Sequence, residues 1–414
     1  MNAGNKPEAN NKGMIMTTIE KDAAVDRLMR FLAVNGITGE ERAIGREIVA
    51  ALKEAGVASR SITFDEAHKQ IPLPTETGNL IVDLPGRGAL KTAPRLLFMT
   101  HMDTVPLCAG AKPSLRGKKI VNTAKTALGG DNRTGCGVLV TLAAELNRQK
   151  LDHPPLTLVF TVREESGLWG ARFIDKAKLS GIKTGFNFDG SSPSSVVIGA
   201  VGADRWEAEI FGLAAHAGGA PEKGVSSTMI LAEALAAVHK QGWFGKVSKK
   251  GKTGTSNIGP VSGESGGAAG DATNVVTDYV HVQGECRSHD PKFFKEITAA
   301  YKAALGAAAK KVQNVSGKPG RVKFSARTDY HPFLLKDTLP VVRRAKAAVA
   351  ELGFEPDVRV TNGGLDANWL VRHGIPTVTF GAGQNEVHTV NEWIDASEYQ
   401  RACSLAVMLA TMQG

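Results

Sequence analysis

His101 and Asp103 follow directly on the apolar run Leu96-Leu97-Phe98-Met99. On an extended strand residues i and i+2 point to one side, so both side chains face the same way at the strand's end. A neutral imidazole there can ligate a metal, and a carboxylate beside it can fix the ring's tautomer and orientation. Alone, the pair reads more simply as a capped strand end with a satisfied histidine. Acidic and histidine residues recur, however, at the ends of other runs. They are Asp131 in TALGGDNRTG, Glu164 and Glu165 in LVFTVREESG, Asp189 in GFNFDG and His388 in NEVHTVNE. The two histidines with three of these carboxylates, and no thiolate, suit a pair of zinc or similar divalent ions. One carboxylate can bridge two ions, which sit roughly 3.5–4 Å apart in hydrolases of this kind.

These residues need elements to hold them. Residues 156–162, LTLVFTV, are almost continuously apolar, the pattern of a strand buried on both faces, and they deliver Glu164 and Glu165. Adjacent side chains on a strand diverge, so the two carboxylates can take different tasks; a solvated acidic turn is the plainer reading of an isolated pair. Residues 185–189 form a strand ending at Asp189, which would serve equally as a cap or turn. After Asp131 a helix begins, with Leu139, Leu142 and Leu146 on one face. A carboxylate at a helix start is favoured as an N-cap in its own right. Gly129 and Gly130 permit close backbone approach to a ligand. Before these come two helical stretches within residues 18–56 and short strands at 62–64 and 79–84. Residues 107–125 read as a hairpin-like connection, and 198–202 as an exit segment.

The pattern changes at about residue 204. Residues 206–210 alternate like an antiparallel strand with one wet face. A helix with Leu231, Leu235 and Val238, strands at 256–262 and 278–283, a helix opened by Pro291 and a strand at 321–326 follow. This order describes a small α/β sandwich. A helix at 338–353, a Gly-rich loop at 362–368 and a strand at 377–380 then lead to His388, so the first domain is discontinuous.

The series HMDTVP, TALGGDNRTG, REESG, FNFDG and HTVNE, in that order, resembles the dinuclear-zinc exopeptidases related to peptidase T, with carboxypeptidase G-like enzymes and aminoacylases in the same superfamily. The resemblance runs from about residue 18 to the C-terminus. The loop Gly36-Ile37-Thr38-Gly39-Glu40-Glu41 is similar to a Ser-Gly-x-Glu segment of that family, with Thr for Ser. The resemblance implies an α/β fold: a zinc-exopeptidase-like catalytic domain with a mixed central sheet flanked by helices, and an inserted α/β sandwich lid. The polar start reads as a disordered tail at 1–17, and the resemblance implies catalytic parts at 18–203 and 331–414 and a lid at 204–330 that serves substrate binding and dimerisation. It implies two zinc ions, with cobalt or manganese as alternatives. His101, Asp131 and Asp189 would hold one ion and Asp131, Glu165 and His388 the other. Glu164 would be the general base and Asp103 the residue orienting His101. His216, in HAGGAPEKG, would stabilise the oxyanion, and Asn274, Arg287, Asn362 and Gly364 would meet the substrate. The Asp131–Asn132 peptide bond would be cis. One departure bears on specificity. Peptidase T has an arginine before its Gly-Gly-x-Asp loop to grip a peptide carboxylate, and Asn362 stands there in this chain. An amide cannot make a bidentate charged contact.

The 414 residues, 42% hydrophobic and 22% charged, are ordinary for a globular protein of two domains. No apolar run approaches the ~20 residues of a membrane span, and the polar start MNAGNKPEANNKGMIM lacks the apolar core of a signal peptide. Cys108, Cys136, Cys286 and Cys403 show no paired spacing, which points to free thiols in a reducing cytoplasm. The net charge of +9 raises nucleic acid as a partner, but no aromatic residues interleave with the dispersed lysines as base stacking requires. The expected activity is hydrolysis of short peptides by a tripeptide aminopeptidase-like enzyme, its tripeptide limit in doubt because of Asn362. A carboxypeptidase or N-acyl-amino-acid amidohydrolase is the alternative, and a non-catalytic peptide-binding protein is the reading from another class. The expected partners are a short peptide and a second copy of the chain.

Overall fold

The computed structural model describes residues 18–270 and 272–413; the tail expected at 1–17 lies outside them. A nine-stranded sheet forms the larger unit. Its order is Ile62–Phe64, Leu80–Leu84, Leu156–Thr161, Leu96–His101, Gly185–Phe188, Thr377–Phe380, Ser195–Ala200 and Phe333–Leu334, with Asp357–Thr361 also paired to Ser195–Ala200. The four strands from Leu156–Thr161 to Thr377–Phe380 in that order run parallel. All four therefore present their carboxyl ends on one edge of the sheet.

The apolar runs read as strands buried on both faces are so. Leu96 and Phe98 enter one core with Leu139 and Leu142, whereas Leu97 and Met99 enter another with Ile174 and Leu370. Alternation across the pleat thus supplies two apolar layers from one strand. Each such side chain contributes roughly 1.5–3 kcal/mol on burial. Helices Gly130–Arg148, Lys21–Leu32 and Ala396–Thr411 pack together over the first core.

The segment read as an exit is instead a sheet strand, Ser195–Ala200. Its apolar stretch, Val196-Val197-Ile198, is β-branched but only three residues long, and its pairing within the sheet completes the strand. The Gly-rich loop also ends earlier than expected, because Asp366–Arg372 is helical.

The smaller unit is a five-stranded antiparallel sheet in the order Gly245–Lys249, Lys252–Ser262, Tyr279–Ser288, Gly202–Phe211, Arg321–Tyr330. Helices Ser227–Lys240 and Pro291–Lys311 share its apolar core. The strand Gly245–Lys249 has no counterpart in the sequence reading. It is hidden because the lysine run following it is a two-residue hairpin turn, with Lys250 and Gly251 at φ 51° and 75°. Asp290 caps the second helix by accepting the N–H groups of Lys292 and Phe293. The chain crosses between the two sheets at Val201 and again at His331-Pro332.

The expected hairpin in 107–125 is present as Pro113–Arg116 paired with Lys119–Asn122, and Trp393–Asp395 joins it. All four cysteines are free and buried. Among the described residues no helix is long and apolar enough to cross a membrane.

Candidate metal centre

The residues singled out in the sequence converge at the carboxyl edge of the four parallel strands. His101 ends one strand, Glu164 and Glu165 follow Leu156–Thr161, Asp189 follows Gly185–Phe188, and His388 lies beyond Thr377–Phe380. Crevices outside the carboxyl ends of strands are where open α/β sheets hold ligands.

Asp131 lies between the two histidines. Its Oδ1 is 3.1 Å from His101 Nε2 and its Oδ2 is 3.2 Å from His388 Nε2. Asp189 Oδ1 lies 3.9 Å from His101 Nε2, and Glu165 Oε1 3.0 Å from His388 Nε2. One carboxylate thus faces two nitrogen donors, each with a further carboxylate beside it. The Asp131–Asn132 peptide bond is cis, as the family resemblance implied. The capping task that would explain Asp131 without any metal belongs to its neighbour. Asn132 Oδ1 accepts the N–H of Gly135 at 3.0 Å, while its Nδ2 donates to the Phe188 carbonyl at 2.8 Å. Asp131's carboxylate is left to the histidines.

Asp103 is fully buried. Its Oδ1 is 3.3 Å from His101 Nδ1, and its backbone carbonyl is 3.1 Å from the same nitrogen. Its carboxylate also accepts the backbone N–H groups of Glu164 and Glu165, at 3.0 and 3.2 Å. Glu164's own carboxylate makes no hydrogen bond to any described residue, and Asp189's lies 3.9 Å from its nearest nitrogen partner, His101 Nε2.

Burial and mutual repulsion dominate the electrostatics. Burial first, then the charge of Asp131 and other neighbours, raises Asp189 well above the usual carboxylate range. Burial does the same to Glu164, reinforced by Asp189 and Glu165. Glu165 is pushed up to about 7 by burial and by Asp131, against the hydrogen bond from His388. For Asp131, burial also acts upward but is outweighed by its hydrogen bonds to His101 and His388, which hold it below the ordinary range. His388 rises to about 10 through those bonds to Asp131 and Glu165. Desolvated carboxylates crowded together in this way are a donor set that divalent cations stabilise. Ligand atoms of His101, Asp131 and Glu165 lie within 4.8 Å of one another, as do those of His101, Glu164 and Asp189.

Two supporting carboxylates stood inside quoted motifs but received no role in the sequence reading. Glu392, 3% exposed, accepts the N–H groups of Leu128 and Gly129, each at 2.8 Å, and of Asp131 at 3.1 Å. It closes the HTVNE segment that His388 opens, which is the only signal it gave. Glu41, also buried, accepts the N–H groups of Gly39 and Arg163 at 2.7 and 3.1 Å, tying the 36–41 loop to the turn that carries Glu164.

The residues expected from the smaller unit are not in the cluster. His216 is exposed, and its Nδ1 accepts the N–H groups of Gly218 and Gly219 at 3.1 and 2.9 Å. A ring nitrogen that accepts cannot carry the proton of a neutral imidazole, so Nε2 does. Asn274 is exposed beside it, its carbonyl accepting the Ala217 N–H at 2.8 Å. Among the described residues no hydrogen bond or ion pair joins His216 or Asn274 to the metal-binding cluster. Arg287 is held in a fork by Glu285, at 2.8 and 3.1 Å. Asn362 is exposed. Gly364 packs on Tyr330, whose ring atoms would come within 2.5 Å of any Cβ there.

Over residues 97–412 the sequence matches peptidase family M20/M25/M40. A Bacillus subtilis relative, the uncharacterized protein YqjE, is 31% identical over 333 residues, spanning 80% of this chain and 84% of its own. The crystal structure of the aminopeptidase PepT from Bacillus cereus superposes with a TM-score of 0.79 at 31% identity, covering 95% of this chain and 98% of that one. A tripeptidase from Staphylococcus aureus superposes with a TM-score of 0.82 at 26% identity, with the same coverage.

Proposed function

The chain belongs to peptidase family M20/M25/M40 and is a hydrolase acting on peptide bonds, and from that premise we propose that it is a dinuclear metallo-aminopeptidase of short peptides. The observation that carries the proposal is the division of Asp131's two oxygens between His101 and His388. On this reading His101, Asp131 and Asp189 hold one ion, and Asp131, Glu165 and His388 the other, zinc first and cobalt or manganese as substitutes. Bound there, the ions would supply Lewis-acid polarisation of the scissile carbonyl and acidify water at neutral pH.

The chain's own residues do the rest. Glu164, with its carboxylate unpartnered, takes a proton from the attacking water and delivers it to the leaving amine nitrogen. Asp103 holds Glu164 and Glu165 by their backbones, so the base and the ligand keep their separate positions. His216 brings Nε2–H to the carbonyl oxygen as that oxygen gains charge, which requires the smaller unit to close over the cluster as a lid. Asn362 offers no guanidinium for a peptide carboxylate, so the reading sets no tripeptide limit. The test is digestion of a defined peptide library with and without chelator, read by mass spectrometry. Metal-dependent loss of N-terminal residues supports the reading. C-terminal trimming would assign the chain to the carboxypeptidase-like alternative, and no trimming would end the proposal.

A further inference from the structure

The two crossings between the sheets meet at one side chain. Asn368 is 2% exposed. Its Nδ2 donates to the carbonyl of Val201, on the way into the smaller unit, at 2.9 Å, and to the carbonyl of His331, on the way out, at 2.8 Å. Its Oδ1 accepts the N–H of Leu365 at 2.9 Å, so every polar group of the carboxamide is used. The crossings are tightly apposed beside it: a Cβ on Gly202 would come within 2.4 Å of Pro332. The helix bearing Asn368 is anchored at its other function. Asp366, at its first position, hydrogen-bonds Thr161, the last residue of the strand that leads to Glu164 and Glu165. The same loop presses Gly364 against Tyr330, the final residue of the outgoing strand.

We propose that Asn368 is the pivot on which the smaller unit turns, and so a positioning residue that sets where His216 stands relative to the Glu164 cluster. The proposal rests on the aminopeptidase reading only for its catalytic consequence, not for the geometry. A single planar amide joining both linkers fixes a point, not an angle. Hydrogen bonds to two carbonyl oxygens tolerate rotation about that point while resisting separation of the linkers. Hinges are a few positions that absorb backbone change far from the chemistry, and this one is tied by two residues of helix to the strand end that presents the base.

The test uses the full chain loaded with zinc. Because the native cysteines are buried, spin labels can be attached through Leu115→Cys, on the larger unit's hairpin, and Val315→Cys, on the smaller unit, both exposed. Asn368→Asp replaces two donors by acceptors facing two carbonyls without changing shape. The expected result is a broadened or shifted inter-label distance distribution, with two ions still bound per chain. Turnover of a scissile peptide should fall by roughly 10²-fold, the order that a 1 Å misplacement costs. Asn368→Ser, which keeps one donor, should fall between the two and serves if Asn368→Asp does not fold. An unchanged distance distribution in folded variants would overturn the proposal whether or not the wild-type chain cleaves peptides. Wild-type inactivity with a shifted distribution would instead remove the aminopeptidase reading and leave the pivot standing.

Discussion

Asp103 and Glu164 are joined through a backbone contact: the Asp103 carboxylate accepts the Glu164 N–H at 3.0 Å. The side chain read from the sequence as an orienter of His101 therefore also supports Glu164, the residue proposed as general base. Asp103→Asn retains an acceptor for only one of the two glutamate N–H groups and turns a donor towards the other. It should cost roughly 10–100-fold in metal affinity or activity, the range for second-layer partners of ligands. Isothermal titration with zinc and steady-state kinetics on one peptide measure the two; a variant normal in both would reduce Asp103 to packing.

Glu164→Gln should lower kcat by at least the 10²–10⁴-fold typical of a lost general base, while elemental analysis still finds two metal ions per chain. Because Glu164 lies within ligand reach of His101 and Asp189, the opposite outcome is informative. Loss of one ion in this variant, with both retained in Glu165→Gln, would exchange the roles of the neighbouring glutamates.

His216→Ala should reduce kcat by about 10²–10³-fold, the cost of one oxyanion donor, with metal content unchanged. The expectation follows from the proton on Nε2, which Gly218 and Gly219 enforce by donating to Nδ1. Near-normal kcat would leave the ring as the organiser of its own turn.

Glu392→Ala leaves three buried N–H groups without their acceptor. Each such orphan costs about 1–3 kcal/mol. The variant should unfold at clearly lower denaturant concentration and bind both ions more weakly, since the backbone of Asp131 is among the groups released. Denaturant unfolding of the metal-free protein separates these effects, and an unchanged midpoint would refute the structural part.

The strand ends were legible because the candidate site places histidines and carboxylates, strongly marked residues, at the ends of strongly apolar runs. Leu156–Thr161 could be read from burial on both faces, and Asp131 from its place between glycines and a helix. Three features were illegible for physical reasons. Ser195–Ala200 has an apolar stretch only three residues long, and tertiary pairing completes the strand. Glu392 acts on backbone N–H groups that lie 261–264 positions away in sequence, so no local pattern records it. Asn132 and Asn368 do their work through amide geometry, and an asparagine beside a glycine-rich segment looks like any turn residue.

The strand Thr377–Phe380 lies between Gly185–Phe188 and Ser195–Ala200 in the sheet. The last strand of the nine-stranded sheet to be made thus enters its interior, between neighbours made long before it. Gly185–Phe188 and Ser195–Ala200 cannot complete their pairing until Thr377–Phe380 has been made, and His388 follows that strand in the chain. The smaller unit, by contrast, is one uninterrupted segment and has all its strands by Tyr330. A nascent chain arrested short of Thr377 therefore carries every strand of the smaller unit beside an open-seamed larger sheet that still lacks His388, one of the proposed ligands.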